Sequence, residues 1–84
     1  MATRILGVED AADLRAVVVA VLTRIGGYET IEAANGKEAV AKAVSEKPDL
    51  ILMDVNLPDI SGIDAARAVK SNPRTAHIPI IAQT

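Results

Sequence analysis

Glu9 and Asp10 close the short apolar run Ile5-Leu6-Gly7-Val8, and Asp54 closes the run Leu50-Ile51-Leu52-Met53. Both runs read as buried strands, so all three carboxylates stand at strand C-termini, where an open α/β sheet gathers its chemistry. Like charges placed together repel, and a hard divalent cation relieves the repulsion. Oxygen ligands with no His or Cys among them favour Mg²⁺, which binds few protein carboxylates and keeps waters for a phosphate-bearing partner. A carboxylate in that setting is also a nucleophile toward phosphorus, forming an acyl phosphate. Asp54 is the candidate, because it follows the most hydrophobic segment and is held rigidly. The plainer reading of a lone Asp after a strand, a cap that solvates a turn, is outweighed by the paired acids at Glu9-Asp10.

The elements that must position these acids follow from the hydrophobic periods. A strand over 4–8 is followed by a helix over 12–25, whose Leu14, Val17, Val18, Val21, Leu22 and Ile25 recur at helical spacing until Gly26-Gly27 ends it. Residues 28–33 suit an edge strand protected by Glu29 and Glu32, and Asn35-Gly36 marks a turn. A second helix over 37–45 stops before Pro48, a two-faced buried strand runs over 50–53, and a third helix over 63–70 stops at Asn72-Pro73. A fourth strand is expected over 78–82, with Pro79 tolerable near its start. The pattern βαβαβαβ implies an α/β fold with parallel pairing and right-handed crossovers. In the doubly wound order 2-1-3-4, the first and third strands are neighbours, and their three acids meet at the topological switch point.

Composition narrows the function. The chain has 84 residues, no cysteine and a formal net charge of −2, enough for one small domain over 1–84 without disulfides or thiol chemistry. Its pI is near 5.2, and its basic residues are scattered, so no nucleic-acid partner is expected. No apolar run approaches the roughly 20 residues of a membrane span, and the N-terminus lacks a secretory layout, so a soluble cytoplasmic protein without a membrane partner is expected. Tyr28 is the lone aromatic residue, which leaves the core to Val, Ile, Leu and Ala.

Three motifs now carry a resemblance. Val8-Glu9-Asp10, the segment PDLILMDVNLPDISG at 48–62 and HIPIIAQT at 77–84 resemble, in register over the whole chain, the receiver domain of two-component response regulators, in particular stand-alone cell-cycle-type receivers. The resemblance implies a flavodoxin-like sheet and a phosphoacceptor at Asp54. It implies Mg²⁺ held by Glu9, Asp10, Asp54 and the backbone carbonyl of Asn56, with the Thr84 hydroxyl on the phosphoryl group. It also implies a sensor histidine kinase or phosphotransfer protein as donor, and a regulatory module rather than an enzyme, since any phosphoryl transfer is onto its own Asp54. Pro58 and Gly62 match the loop after the phosphoacceptor, where Pro fixes φ and Gly permits a backbone geometry that other residues resist. Asn56 either tunes the lifetime of the phosphoryl group or satisfies loop backbone.

The family's fold continues past the fourth strand with a helix, a strand and a helix, together with a phosphoryl-contacting Lys and a reporting aromatic residue. This chain is expected to be truncated after strand four, with one sheet face partly bare and strand 78–82 an edge. Self-association through strand 78–82 or helix 12–25, particularly the run from Ala16 to Val21, is the expectation. The alternative function is accordingly a signalling-incompetent receiver serving as a self-association or partner-binding unit. A nucleotide or flavin binder is disfavoured, because no Gly-rich phosphate loop follows strand one. Gly7 either weakens strand one or admits a close backbone. His77 reads as a turn residue, and Lys37, Lys42 and Lys47 as solvated helix-face charges.

Overall fold

A computed structural model describes residues 3–83. The chain alternates β1 (Arg4–Val8), α1 (Ala12–Ala20), β2 (Glu29–Ala33), α2 (Gly36–Glu46), β3 (Leu50–Asp54), α3 (Gly62–Ser71) and β4 (Ile80–Gln83). The four strands form one parallel sheet in the order β2-β1-β3-β4, the expected arrangement. Val8 pairs with Met53 across β1 and β3, so the residues immediately after each lie side by side at the same end of the sheet.

One core occupies one face. Leu6 and Val8 of β1 and Ile51 and Met53 of β3 alternate onto it and meet Ala39 and Ala43 of α2 and Ala65 and Val69 of α3. The alanines stand one turn apart on α2, and their short side chains let that helix lie close to the strands. The opposite face receives Ile5, Gly7, Leu50 and Leu52, and α1 is its cover. No residue of α1 is buried, and Leu14, Val17, Val21 and Ile25 form an exposed stripe at helical spacing. No helix among the described residues is long and apolar enough to cross a membrane.

Several element ends differ from expectation for local reasons. After Ala20 the first helix widens into a π-helical turn over Val21–Ile25, where the Thr23 hydroxyl donates to the Val19 carbonyl at 2.6 Å and Gly26 N–H reaches back to Val21. Tyr28 N–H donates to the Leu22 carbonyl, so it belongs to the helix end and β2 starts one residue later. The fourth strand starts at Ile80 rather than Ile78. Ile78 N–H is held by the Thr75 carbonyl, Pro79 has no N–H to donate, and the Ile78 side chain is fully buried in the α2/α3 core instead. Thr84 lies outside the described residues.

Gly7 admits no close neighbour. A Cβ at that position would meet nothing within 4 Å, so its absent side chain leaves open space on the α1 face.

Candidate functional site

The end of β1 is held before its acids begin. Glu9 N–H donates to the Ala33 carbonyl at 3.1 Å, extending the ladder to β2 by one rung. The Glu9 carbonyl accepts from the Arg15 guanidinium at 2.7 Å, and the Glu9 carboxylate accepts from Ala11 N–H at 3.2 Å. Glu9 is thereby fixed from both sides of its own peptide. Asp54 is the last residue of β3, and Asn56 N–H donates to its Oδ1 at 3.0 Å. Glu9 and Asp54 are buried while Asp10 is exposed.

These placements bring the three predicted acids together. One carboxylate oxygen each from Glu9, Asp10 and Asp54 lies within 4.8 Å of the other two. Among the described residues, no salt bridge reaches the cluster. The four ion pairs join Arg4 to Glu46, Arg15 to Glu32, Lys42 to Glu38 and Arg67 to Asp64. Burial pushes the Glu9 carboxyl up; the Ala11 amide opposes this, and the Asp54 and Asp10 carboxylates raise it further. An all-oxygen set of crowded, uncompensated carboxylates fits a small hard cation.

The loop over 55–61 follows Asp54 and is tied down at several points. Gly62 N–H donates to the Val55 carbonyl at 3.0 Å. The reason for glycine there is proximity rather than an unusual dihedral. Among the described residues, Lys47 and Gly27 are the positive-φ positions, whereas a Cβ on Gly62 would run into the Asp54 carbonyl oxygen. Asp59 accepts from Gly36 N–H and Lys37 N–H at 2.8 Å each. Asn35 caps the same helix, accepting from Glu38 N–H at 2.8 Å.

The sequence had assigned no role to Arg15 or Asp59. Arg15 was findable in principle, being basic and one helical turn past the acids. Asp59 carried no such signal, since its partners lie 23 and 22 residues away. Lys42 does more than sit in solvent, pairing with Glu38 at 3.0 Å and donating to the Glu32 carbonyl. His77 is exposed and precedes β4 at the end of the sheet away from the acids.

The response regulator receiver domain model matches residues 5–84. The chain belongs to that family. Among curated relatives, the polar-differentiation response regulator DivK of Brucella anthropi is 46% identical over 63 residues, which is 75% of this chain and 51% of DivK. The phosphate regulon regulator PhoB of Pseudomonas aeruginosa is 48% identical over 80 residues, covering 95% of this chain and 34% of PhoB. The matched receiver segment thus spans about half the length of DivK and a third of PhoB. Among solved structures, the chemotaxis response regulator CheY4 of Vibrio cholerae superposes with a TM-score of 0.91 at 34% identity, over 98% of this chain and 68% of that one. A receiver domain of a Pseudomonas aeruginosa sensor histidine kinase, solved with a magnesium ion coordinated in its active-site cleft, gives 0.88 at 34% identity over 100% and 68%. Receivers are regulatory modules of two-component systems, and the parallel sheet in the order β2-β1-β3-β4 with its three helices is the part of their fold that this chain shows.

Proposed function

We propose that this receiver is a phosphoacceptor module of a two-component phosphorelay, taking a phosphoryl group onto Asp54 from a sensor histidine kinase or phosphotransfer protein. The observation that carries the reading is the convergence of Glu9, Asp10 and Asp54 within 4.8 Å with no cationic side chain ion-paired to their carboxylates among the described residues. Glu9, Asp10, Asp54 and the Asn56 backbone carbonyl would hold Mg²⁺, and the bound ion would neutralise charge on the transferring group. Asn56 N–H holds Oδ1 of Asp54 and leaves Oδ2 to form the new O–P bond as the donor's P–N bond breaks. Asp54 attacks as a carboxylate and releases no proton, so the leaving imidazole takes its proton from water. The Thr84 hydroxyl is assigned its phosphoryl contact from its place in the motif. The protein itself catalyses no turnover on other substrates, and the lack of cysteine supports a cytoplasmic setting.

Intact mass after incubation with a small acyl phosphate and Mg²⁺ tests the reading. One added phosphoryl group on the unsubstituted chain, absent from Asp54→Asn, is the expected result. No added mass on either chain sinks it.

A second reading rests on a different observation. The exposed stripe Leu14, Val17, Val21 and Ile25, with Ile81 beyond it on the same side of the sheet, supports self-association through helix 12–25 or strand 78–82, with the chain acting as an association unit instead of a signalling one. Light scattering over a dilution series decides it, because a monodisperse monomer at micromolar concentration contradicts it.

A further inference from the structure

We propose that Asp59 is a positioning residue for the acid site: its carboxylate pins the 55–61 loop to the first turn of α2 and so fixes Asn56 beside Asp54. The inference rests on the phosphoacceptor reading and deepens it.

Asp59 is exposed, so its effect comes through its charge-assisted bonds to the Gly36 and Lys37 amides. Those amides are the first two free donors of α2, and the third, Glu38 N–H, already belongs to Asn35. An exposed helix terminus left to water loses little, whereas an untethered loop must be ordered residue by residue against its own conformational entropy. The bonds therefore matter more for the loop than for the helix. A carboxylate is well suited to that place, because the positive end of the helix dipole attracts it. The neighbouring contact points the same way: Ile60 packs so closely on Gly36 that a Cβ there would collide with its side chain. Pro58 stands between Asp59 and the Asn56 end of the loop, and its fixed φ transmits the anchor toward the metal site with little slack.

The partners also identify what the tether joins. It ties the loop that follows Asp54 to the helix that follows β2, two elements on the densely packed face. Asn56, two residues before Pro58, is held at its other side by the 3.0 Å bond from its N–H to Asp54. Cutting the Asp59 end leaves the loop without its polar tie to α2, held by the Gly62 and Asn56 backbone bonds and by the packing of Leu57 and Ile60 on the core.

Backbone amide NMR with Mg²⁺ titration tests this on the whole chain, using Asp59→Asn, Asp59→Glu and Asn35→Ala. In Asp59→Asn an amide group replaces one acceptor oxygen, so the Gly36 and Lys37 amide protons move upfield and exchange faster. The Mg²⁺ midpoint, read at the Val55 and Asn56 amides, rises roughly 10-fold, as for loss of a group that orients a metal ligand. Asp59→Glu keeps both acceptors and recovers part of the midpoint. Asn35→Ala removes a cap from the same helix without touching the loop, and it lowers the urea midpoint while leaving the Mg²⁺ midpoint unchanged. The proposal is overturned if Asp59→Asn frees the two amides yet binds Mg²⁺ as the unsubstituted chain does, or if Asn35→Ala weakens Mg²⁺ equally. No Mg²⁺ response in the unsubstituted chain overturns the phosphoacceptor reading itself, and this proposal with it.

Discussion

On the α2 and α3 side of the sheet, Leu6, Ile51 and Met53 are at most 1% exposed, whereas on the α1 side Val17 is 58% and Ile81 is 52% exposed. Both sides are lined by aliphatic residues, so hydrophobicity alone does not separate them. Side-chain size and spacing do. Ala39, Ala43 and Ala65 bring their helices down onto the strands, and Val69 and Ile78 fill what remains. The valines of α1 fall on several faces of that helix, and no position on it is fully enclosed. The acid site straddles this divide. Asp54 leads into the loop tethered to the dense side, while Glu9 and Asp10 lead into the loosely covered helix and depend on Arg15 and the Ala33 rung for their place.

Truncating one residue on each side is the most direct way to break the comparison. Ile51→Ala removes a fully buried side chain and is expected to cost about 2–5 kcal/mol. Such a loss unfolds much of a small domain whose total stability is of similar size. Val17→Ala is expected to change stability by no more than about 0.5 kcal/mol. Urea denaturation measures both. Equal costs would mean that the outer stripe of α1 is covered in solution, which the self-association reading requires.

Adding a methyl group sharpens the same contrast. Gly62→Ala drives a Cβ into the Asp54 carbonyl and is expected to cost about 1–3 kcal/mol by overpacking. It should also lower phosphoryl uptake, because the strained atom belongs to the acceptor residue. Gly7→Ala projects into open space on the α1 face and is expected to stabilise the strand by about 0.5–1 kcal/mol. Opposite signs for one substitution at two buried glycines follow from their surroundings, and thermal unfolding of the pair reads the difference.

The dense side and the acids were the legible part of the sequence. Strand order follows from apolar runs alternating with helical periods, and once β1 lies beside β3, the register of Val8 on Met53 carries Glu9 and Asp54 together. Ile78 was misplaced because an apolar residue before Pro79 looks like strand, while the Thr75 carbonyl takes its N–H and the core takes its side chain. Gly62 was recognised for the wrong reason, since the clash that requires it involves a carbonyl eight residues earlier, and glycine in a loop usually signals a dihedral. Asp59 was illegible for a deeper reason. Capping rules describe partners within a turn of each other, and nothing local announces a carboxylate that caps a helix from the other side of a strand.

Two carboxylates respond to pH in opposite senses, which gives the finest probe of the divided site. Amides from Lys37, Gly36 and Ile60 outweigh the effect of desolvation on Asp59 and hold its carboxyl at about 2, against an ordinary 3.8. Its stabilisation is thus fully present above the ordinary value and lost as pH falls toward the folded one. Asp59→Asn should lower stability at neutral pH and flatten the acid limb of the curve. Glu9 is shifted upward, chiefly by burial, so its ionised form is disfavoured in the fold. That penalty is present at neutral pH and relieved as pH falls through the raised value. In EDTA, Glu9→Gln should therefore raise the urea midpoint at neutral pH, with the gain fading on acidification. Added Mg²⁺ should reverse the ranking, because an ion bound only by the folded, unsubstituted chain stabilises it by mass action. If the Glu9→Gln gain instead survives acidification or saturating Mg²⁺, the ionised Glu9 carboxylate is not what strains the site, and the case for a cation there loses its physical basis.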